Sequence, residues 1–244
     1  MRPLLTIILF IIFTPSLRAK VVCNLDGCSI DPTLLIGEPV SINPTFLFYE
    51  KTRFKHFPPE SSKGVYAPLN RVWNRVDSIN IDRFGYGTYY LSVNLTSEAS
   101  IGIKLPKLLS GSEIYFNGKL ISRKGVVGES ETTEQAGAGL HNLVISGHRG
   151  QNHLVVQLSN FTHYFGGGNG RILIGTPEGL ATQNEQMRIQ ASIIIGAIVI
   201  MFFYHLYIWT LRKSFKSPLY FAIICFFIAG RSAAINKGDL LLVL

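Results

Sequence analysis

The side chains best suited to chemistry lie in two polar, Gly-containing stretches, ESETTEQAGAGLHN (Glu129 to Asn142) and THYFGGGNGR (Thr162 to Arg171). In the second, His163, Tyr164, Phe165 and Asn169 combine aromatic faces with hydrogen-bonding groups, a mixture that stacks against and orients a sugar ring or another small polar solute. Trp73 offers a further stacking face, although a lone Trp in a β-rich region more often fills a core. The plain reading of both stretches is connection between strands. The sharper reading is a recognition rim, because loops at one end of a rigid sandwich commonly hold ligands. Neither stretch ends in GKS or GKT, so a phosphate cradle is not expected.

Catalytic spacing is missing from the sequence. His56, His141, His148, His153 and His163 are scattered without the intervals of metal ligands, and no Ser occupies a GxSxG elbow. The carboxylates Asp77 and Asp82, or Glu129 and Glu131, read most simply as solvated turn residues. No catalytic residue, metal or cofactor is therefore expected in this chain. Cys23 and Cys28, in CNLDGC, are close enough to bridge across a turn, and an oxidising compartment favours a small structural disulfide there. A metal site at this pair would need a second Cys or His pair nearby, and none is present.

The elements that must position these residues read as strands. Alternating runs occur at Tyr89 to Leu95, Ile101 to Leu105, Glu113 to Asn117 and His153 to Leu158. Turn signals separate them at Asn117-Gly118, Gly147 to Gly150 and Gly166 to Gly170. Many short strands without intervening helices predict an all-β sandwich over residues 20–186.

Both ends differ from this middle. Residues 1–19 carry Arg2, a short apolar run from Leu4 to Phe13, then Pro15 and small or polar residues to Ala19, the layout of a cleaved secretory signal, with an uncleaved anchor as the other reading. Residues 187–244 read as the start of a membrane domain with two helices. Ala191 to Leu211 has no formal charge and is long enough to cross hydrocarbon. Arg212, Lys213 and Lys216 follow, and a second apolar stretch from Pro218 is interrupted by Arg231. Cations between two apolar segments place that loop in the cytoplasm, and the signal independently places the middle domain outside it.

This partition disposes of a tempting inference. A formal charge of +8, from 23 Lys+Arg against 15 Asp+Glu, would suggest a nucleic-acid partner. Between Lys20 and Gln186 the two signs nearly cancel, leaving +1, and the remaining surplus surrounds the signal and the apolar stretches. The charge reports topology, and nucleic-acid binding loses its support.

The patterns GYGTYYLSVNL (Gly85 to Leu95), IGIKLPKLLSGSEIYFNGKLISRKGVVGES (Ile101 to Ser130) and NHLVVQLSNF (Asn152 to Phe161) resemble the galactose-binding-like jelly roll. Followed by FYHLYIWTLRKSFKSPLYFAIICFFIAGR (Phe203 to Arg231), the chain is similar to bacterial seven-transmembrane receptors with diverse intracellular signalling modules, carrying the type 2 extracellular domain. The resemblance implies a periplasmic sandwich on the inner membrane that senses a solute, carbohydrate-like in chemistry, and signals through the membrane bundle to a cytoplasmic output module outside this chain. It implies a small-molecule or carbohydrate ligand and the membrane as partners, with a homodimer left open. One other reading is a membrane-tethered carbohydrate-binding or adhesion module; a second, an exported glycoside hydrolase accessory domain, would require a catalytic barrel downstream and is opposed by the apolar spans directly after the jelly roll. Within the membrane, His205 would hydrogen-bond between helices, and Arg231 would either snorkel or make a polar contact that carries signal. The linking segment Leu180 to Gln190 has no Gly or Pro and would extend the first span outward as a helix.

Overall fold

A computed structural model describes residues 21–54, 64–81, 83–137 and 139–240. The proposed signal at 1–19, His56 and Asp82 lie outside the described residues. The strands are β1 (Val21–Asn24), β2 (Gly27–Ile30), β3 (Val40–Ile42), β4 (Thr45–Glu50), β5 (Val65–Pro68), β6 (Gly85–Leu95) and β7 (Ala99–Lys104). They continue as β8 (Lys107–Leu108), β9 (Gly111–Phe116), β10 (Lys119–Lys124), β11 (Asn142–Gly147), β12 (Gly150–Asn160), β13 (Gly168–Asn169) and β14 (Ile172–Gly175). Two helices follow, α1 (Pro177–Leu211) and α2 (Ser217–Leu240).

The architecture is a mostly antiparallel β-sandwich. The larger sheet runs β1-β2-β6-β12-β9-β10, with β4 and β5 attached to β6, and the smaller runs β11-β7-β14-β3. One edge of the long β6 is shared, because β2 pairs parallel with its last residues while β4 pairs antiparallel with its middle. Alternation then decides which side chains meet. Leu91, Val93, Leu154, Val156 and Ile114 from the larger sheet join Ile101, Ile103, Leu143, Ile145 and Ile174 from the smaller in one core. The larger sheet also carries a second apolar cluster of Tyr49, Tyr90 and Val155, with Leu47, Phe54 and Tyr115 against it. That second cluster explains why β6 is buried almost without alternation.

Turns are fixed locally. Asn117 and Gly118 have φ of 49° and 79° and join β9 to β10, as expected of an Asn-Gly hairpin turn that needs positive φ at both positions. Asn117 also accepts a hydrogen bond from the His153 backbone at 2.8 Å and donates to Asn152 at 2.9 Å. Cys23 and Cys28 are disulfide-bonded across the β1–β2 hairpin.

α1 is 35 residues long, about 50 Å at 1.5 Å per residue, which exceeds the roughly 30 Å of a bilayer's hydrocarbon. Its polar first part therefore belongs with the sandwich. Thr176 caps the helix, accepting from the Gly179 backbone at 3.0 Å, and Pro177 takes the first helical position. Leu180 is buried against β7 at Gly102, where any Cβ would meet the Leu180 side chain at 2.6 Å. Lys104 of β7 donates to Asn184 at 2.7 Å. α1 is the described helix long and apolar enough to cross a membrane, whereas the apolar part of α2, Ser217–Ala233, is shorter.

Candidate functional site

Trp73 does not present a face to a ligand. It is fully buried beside Phe48 and Tyr89, and its indole Nε1 donates to the Tyr89 hydroxyl at 3.0 Å. Burial raises the Tyr89 phenol pKa, so this hydroxyl stays protonated at ordinary pH. The indole is large and its polar atom finds a partner inside, which favours the core over the surface. Its role at the rim is indirect. The Trp73 backbone donates to Gly166 at 3.0 Å, and a Cβ on Gly167, whose φ is +93°, would lie 3.1 Å from the indole. The Gly run thus exists so that the second polar loop can lie flat on a buried Trp.

The other end of that loop is held by a carboxylate. Glu134, buried in the first polar stretch, accepts from the Phe161 backbone, from Ser159 at 3.3 Å and from Thr162 at 3.4 Å. Asn160 adds two bonds across the loop start, accepting from the His163 backbone at 3.0 Å and donating to the His163 carbonyl at 2.9 Å. The two polar stretches therefore form one braced rim.

On this rim a cleft of about 350 Å³ opens between the loop and the segment that carries Trp73. Phe165 and Asn169 line it, together with Asn70, Arg71, Arg75 and Leu109. Tyr164 stands beside it, 66% exposed, packed edge-on against Phe165 at 4.7 Å with the Arg83 guanidinium 4.9 Å over its ring. The His163 side chain is exposed and is not part of the cleft lining. The structure thus brings Phe165 and Asn169 together, keeps Tyr164 adjacent, and removes Trp73 to the core. Asn70, Arg71, Arg75 and Leu109 were missed from the sequence; their signal was the pair of arginines flanking the Trp.

No family model matches the sequence, and no curated protein matches it. Solved structures similar to part of the chain include family 2 glycoside hydrolases. A glycosyl hydrolase family 2 member from Bacteroides cellulosilyticus superposes with a TM-score of 0.44 at 13% identity, covering 57% of this chain and 20% of that one. A β-glucuronidase of an uncultured Clostridium gives 0.42 at 14% identity over 56% and 28%. A GH2 β-galacturonidase from Eisenbergiella tayi bound to glycerol gives 0.40 at 12% over 57% and 24%. The chain spans under a third of each of these proteins, and their activities are stated of them alone.

A second depression, about 420 Å³, lies on the outer face of the larger sheet and is lined by Arg53, Phe54, Tyr115, Glu129 and Gln157. Beneath it the buried Glu113 pairs with Arg53 at 3.4 Å and Arg123 at 3.0 Å and accepts from the Tyr115 hydroxyl at 2.7 Å. Burial, then the bond to Glu113, raises the Tyr115 phenol pKa. His141 is also built into the fold, its two ring nitrogens bonded to Ser112 at 2.8 Å and Ser122 at 2.7 Å. Among the described residues no group of three or more His, Cys, Asp or Glu is placed to hold a metal.

In the helices, His205 packs its ring on Phe221 of α2 at 4.3 Å, and its Nδ1 has no hydrogen-bond partner among the described residues. The contact between helices is thus aromatic where a hydrogen bond was expected. Arg231 is exposed on α2, while Ala222 and Cys225 of that helix are buried.

Proposed function

We propose that this chain is the sensing part of a membrane signalling receptor, with a galactose-binding-like jelly roll on the periplasmic side of a bacterial inner membrane. The cleft beside Phe165 and Asn169 takes a polar solute, carbohydrate-like in size and chemistry, and the helices relay its presence to a cytoplasmic module. The observation that carries this reading is the joint between sandwich and span. Leu180 set into β7 at Gly102, the Lys104–Asn184 bond and the Thr176 cap make the polar part of α1 an extension of the smaller sheet. A mere tether needs no such joint, whereas a relay does, because a ligand biases the helices only through a difference in affinity between two arrangements. In a cleft of 300 to 1,000 Å³, the usual range for small-molecule sites, one or two sugar rings fit.

The test uses the chain in lipid nanodiscs with spin labels on the sandwich and on α2, and a panel of sugars. Receptor behaviour is a ligand that raises the melting temperature and shifts the label distance, with the shift abolished by four glycines inserted after Arg188 while binding persists. Binding without any shift identifies a tethered carbohydrate-binding or adhesion module and overturns the relay. Failure of every sugar to bind removes the carbohydrate assignment.

A further inference from the structure

The rim cleft and the depression on the outer sheet face differ in how their charge is balanced. On the outer sheet face, the guanidinium groups of Arg53 and Arg123 are both satisfied by the buried carboxylate of Glu113. On the rim, Arg71 and Arg75 line the cleft with no carboxylate among the lining residues, and neither side chain makes an ion pair or side-chain hydrogen bond among the described residues. This uncompensated pair stands out in a domain whose overall charge is close to neutral. Clefts lined by one sign of charge concentrate ligands of the other.

The backbone beneath the pair is locked. The Arg71 carbonyl accepts from the Gly168 backbone at 3.3 Å, the Arg75 backbone donates to Val72 at 3.0 Å, and Trp73 between them is buried. Both arginines are therefore anchored at their base before any ligand arrives, which lowers the entropy cost of binding. Guanidinium groups match the planar oxygens of carboxylates and the oxygens of phosphate bidentately. Phe165, 38% exposed, offers a ring face, and the amides of Asn70 and Asn169 offer hydroxyl partners.

We propose that the rim cleft is selective for an acidic sugar, whose anionic group is held by Arg71 and Arg75 while its ring lies against Phe165. This rests on the solute-sensing reading above and names the ligand class of the same site.

The experiment is calorimetric titration of the full chain in nanodiscs with glucuronate, galacturonate, glucose 6-phosphate, their neutral parents glucose and galactose, and inorganic phosphate. Arg71→Gln, Arg75→Gln and Phe165→Ala are titrated in parallel, each checked for an unchanged melting temperature without ligand. The expected result is that at least one acidic sugar binds about tenfold or more tightly than its neutral parent, and that either arginine change erases most of that preference. Uronates and the sugar phosphate, compared with each other, report which acid the cleft takes, and loss of affinity in Phe165→Ala reports the ring contact. Inorganic phosphate binding as well as any acidic sugar would overturn the proposal by showing an anion site indifferent to the ring. Neutral sugars binding equally well, untouched by the arginine changes, would overturn it while leaving solute sensing intact. Absence of binding by every acidic sugar would overturn it outright.

Discussion

At the scale of single residues, the rim depends on groups that never touch solvent. Trp73 supports the loop from beneath, and truncating it opens a cavity under the Gly run. Trp73→Ala is expected to cost about 3–5 kcal/mol in chemical unfolding. Trp73→Phe keeps most of the volume but leaves the buried Tyr89 hydroxyl without its donor, costing about 1–3 kcal/mol. Equal unfolding midpoints for both variants and the parent would show that the indole does not brace the loop. His141 makes a second prediction, one of pH. Burial, aided by the nearby Lys124 charge, lowers its pKa to about 4 from an ordinary 6.5. The folded value lies below the unfolded one, so the contribution is fully present above pH 6.5 and is lost as pH falls through 6.5 towards 4. Its size is on the order of 3 kcal/mol. His141→Gln keeps groups able to bond both serines but cannot titrate. Melting temperature from pH 7 to 4 should therefore fall less steeply in that variant, and parallel curves would refute the assignment.

At the scale of elements, β6, β7, β9 and β12 were legible as short runs of apolar and polar residues between turn signals, although a second apolar cluster buries much of β6 and β12 on both faces. β11 was not picked out from the sequence, although its buried Leu143, Ile145 and Gly147 alternate with exposed neighbours. The Asn117-Gly118 turn was equally legible, since positive φ at both positions narrows the residue choice. The helix joint was not, because nothing local in Gly102 announces that it faces Leu180 from a distant part of the chain. Gly102→Val should force Leu180 out of its seat, lowering stability by about 1–3 kcal/mol and speeding hydrogen exchange across the first turns of α1. An unchanged exchange pattern there would mean that the helix does not rely on this contact.

At the scale of the whole molecule, the chain is a sandwich continued by a long helix whose first turns contact the smaller sheet, with its cleft on a loop rim and its apolar hairpin of helices at the other end of the sequence. One core cluster holds both Trp73 and Leu69, under the Gly loop, and Ile103 and Ile174, the chain neighbours of Gly102 and Gly175. Composition and hydropathy determined the sandwich class, the apolar span and the near-neutral charge of the middle domain, because each follows from counts and short-range periodicity. Only tertiary structure decided that Trp73 is a support, that Glu134 ties two loops together, and that Arg71 and Arg75 share a cleft with Phe165 and Asn169. Those groups are far apart along the chain or of types that serve many purposes, and the choice among those purposes is made by which side chains the fold brings into contact.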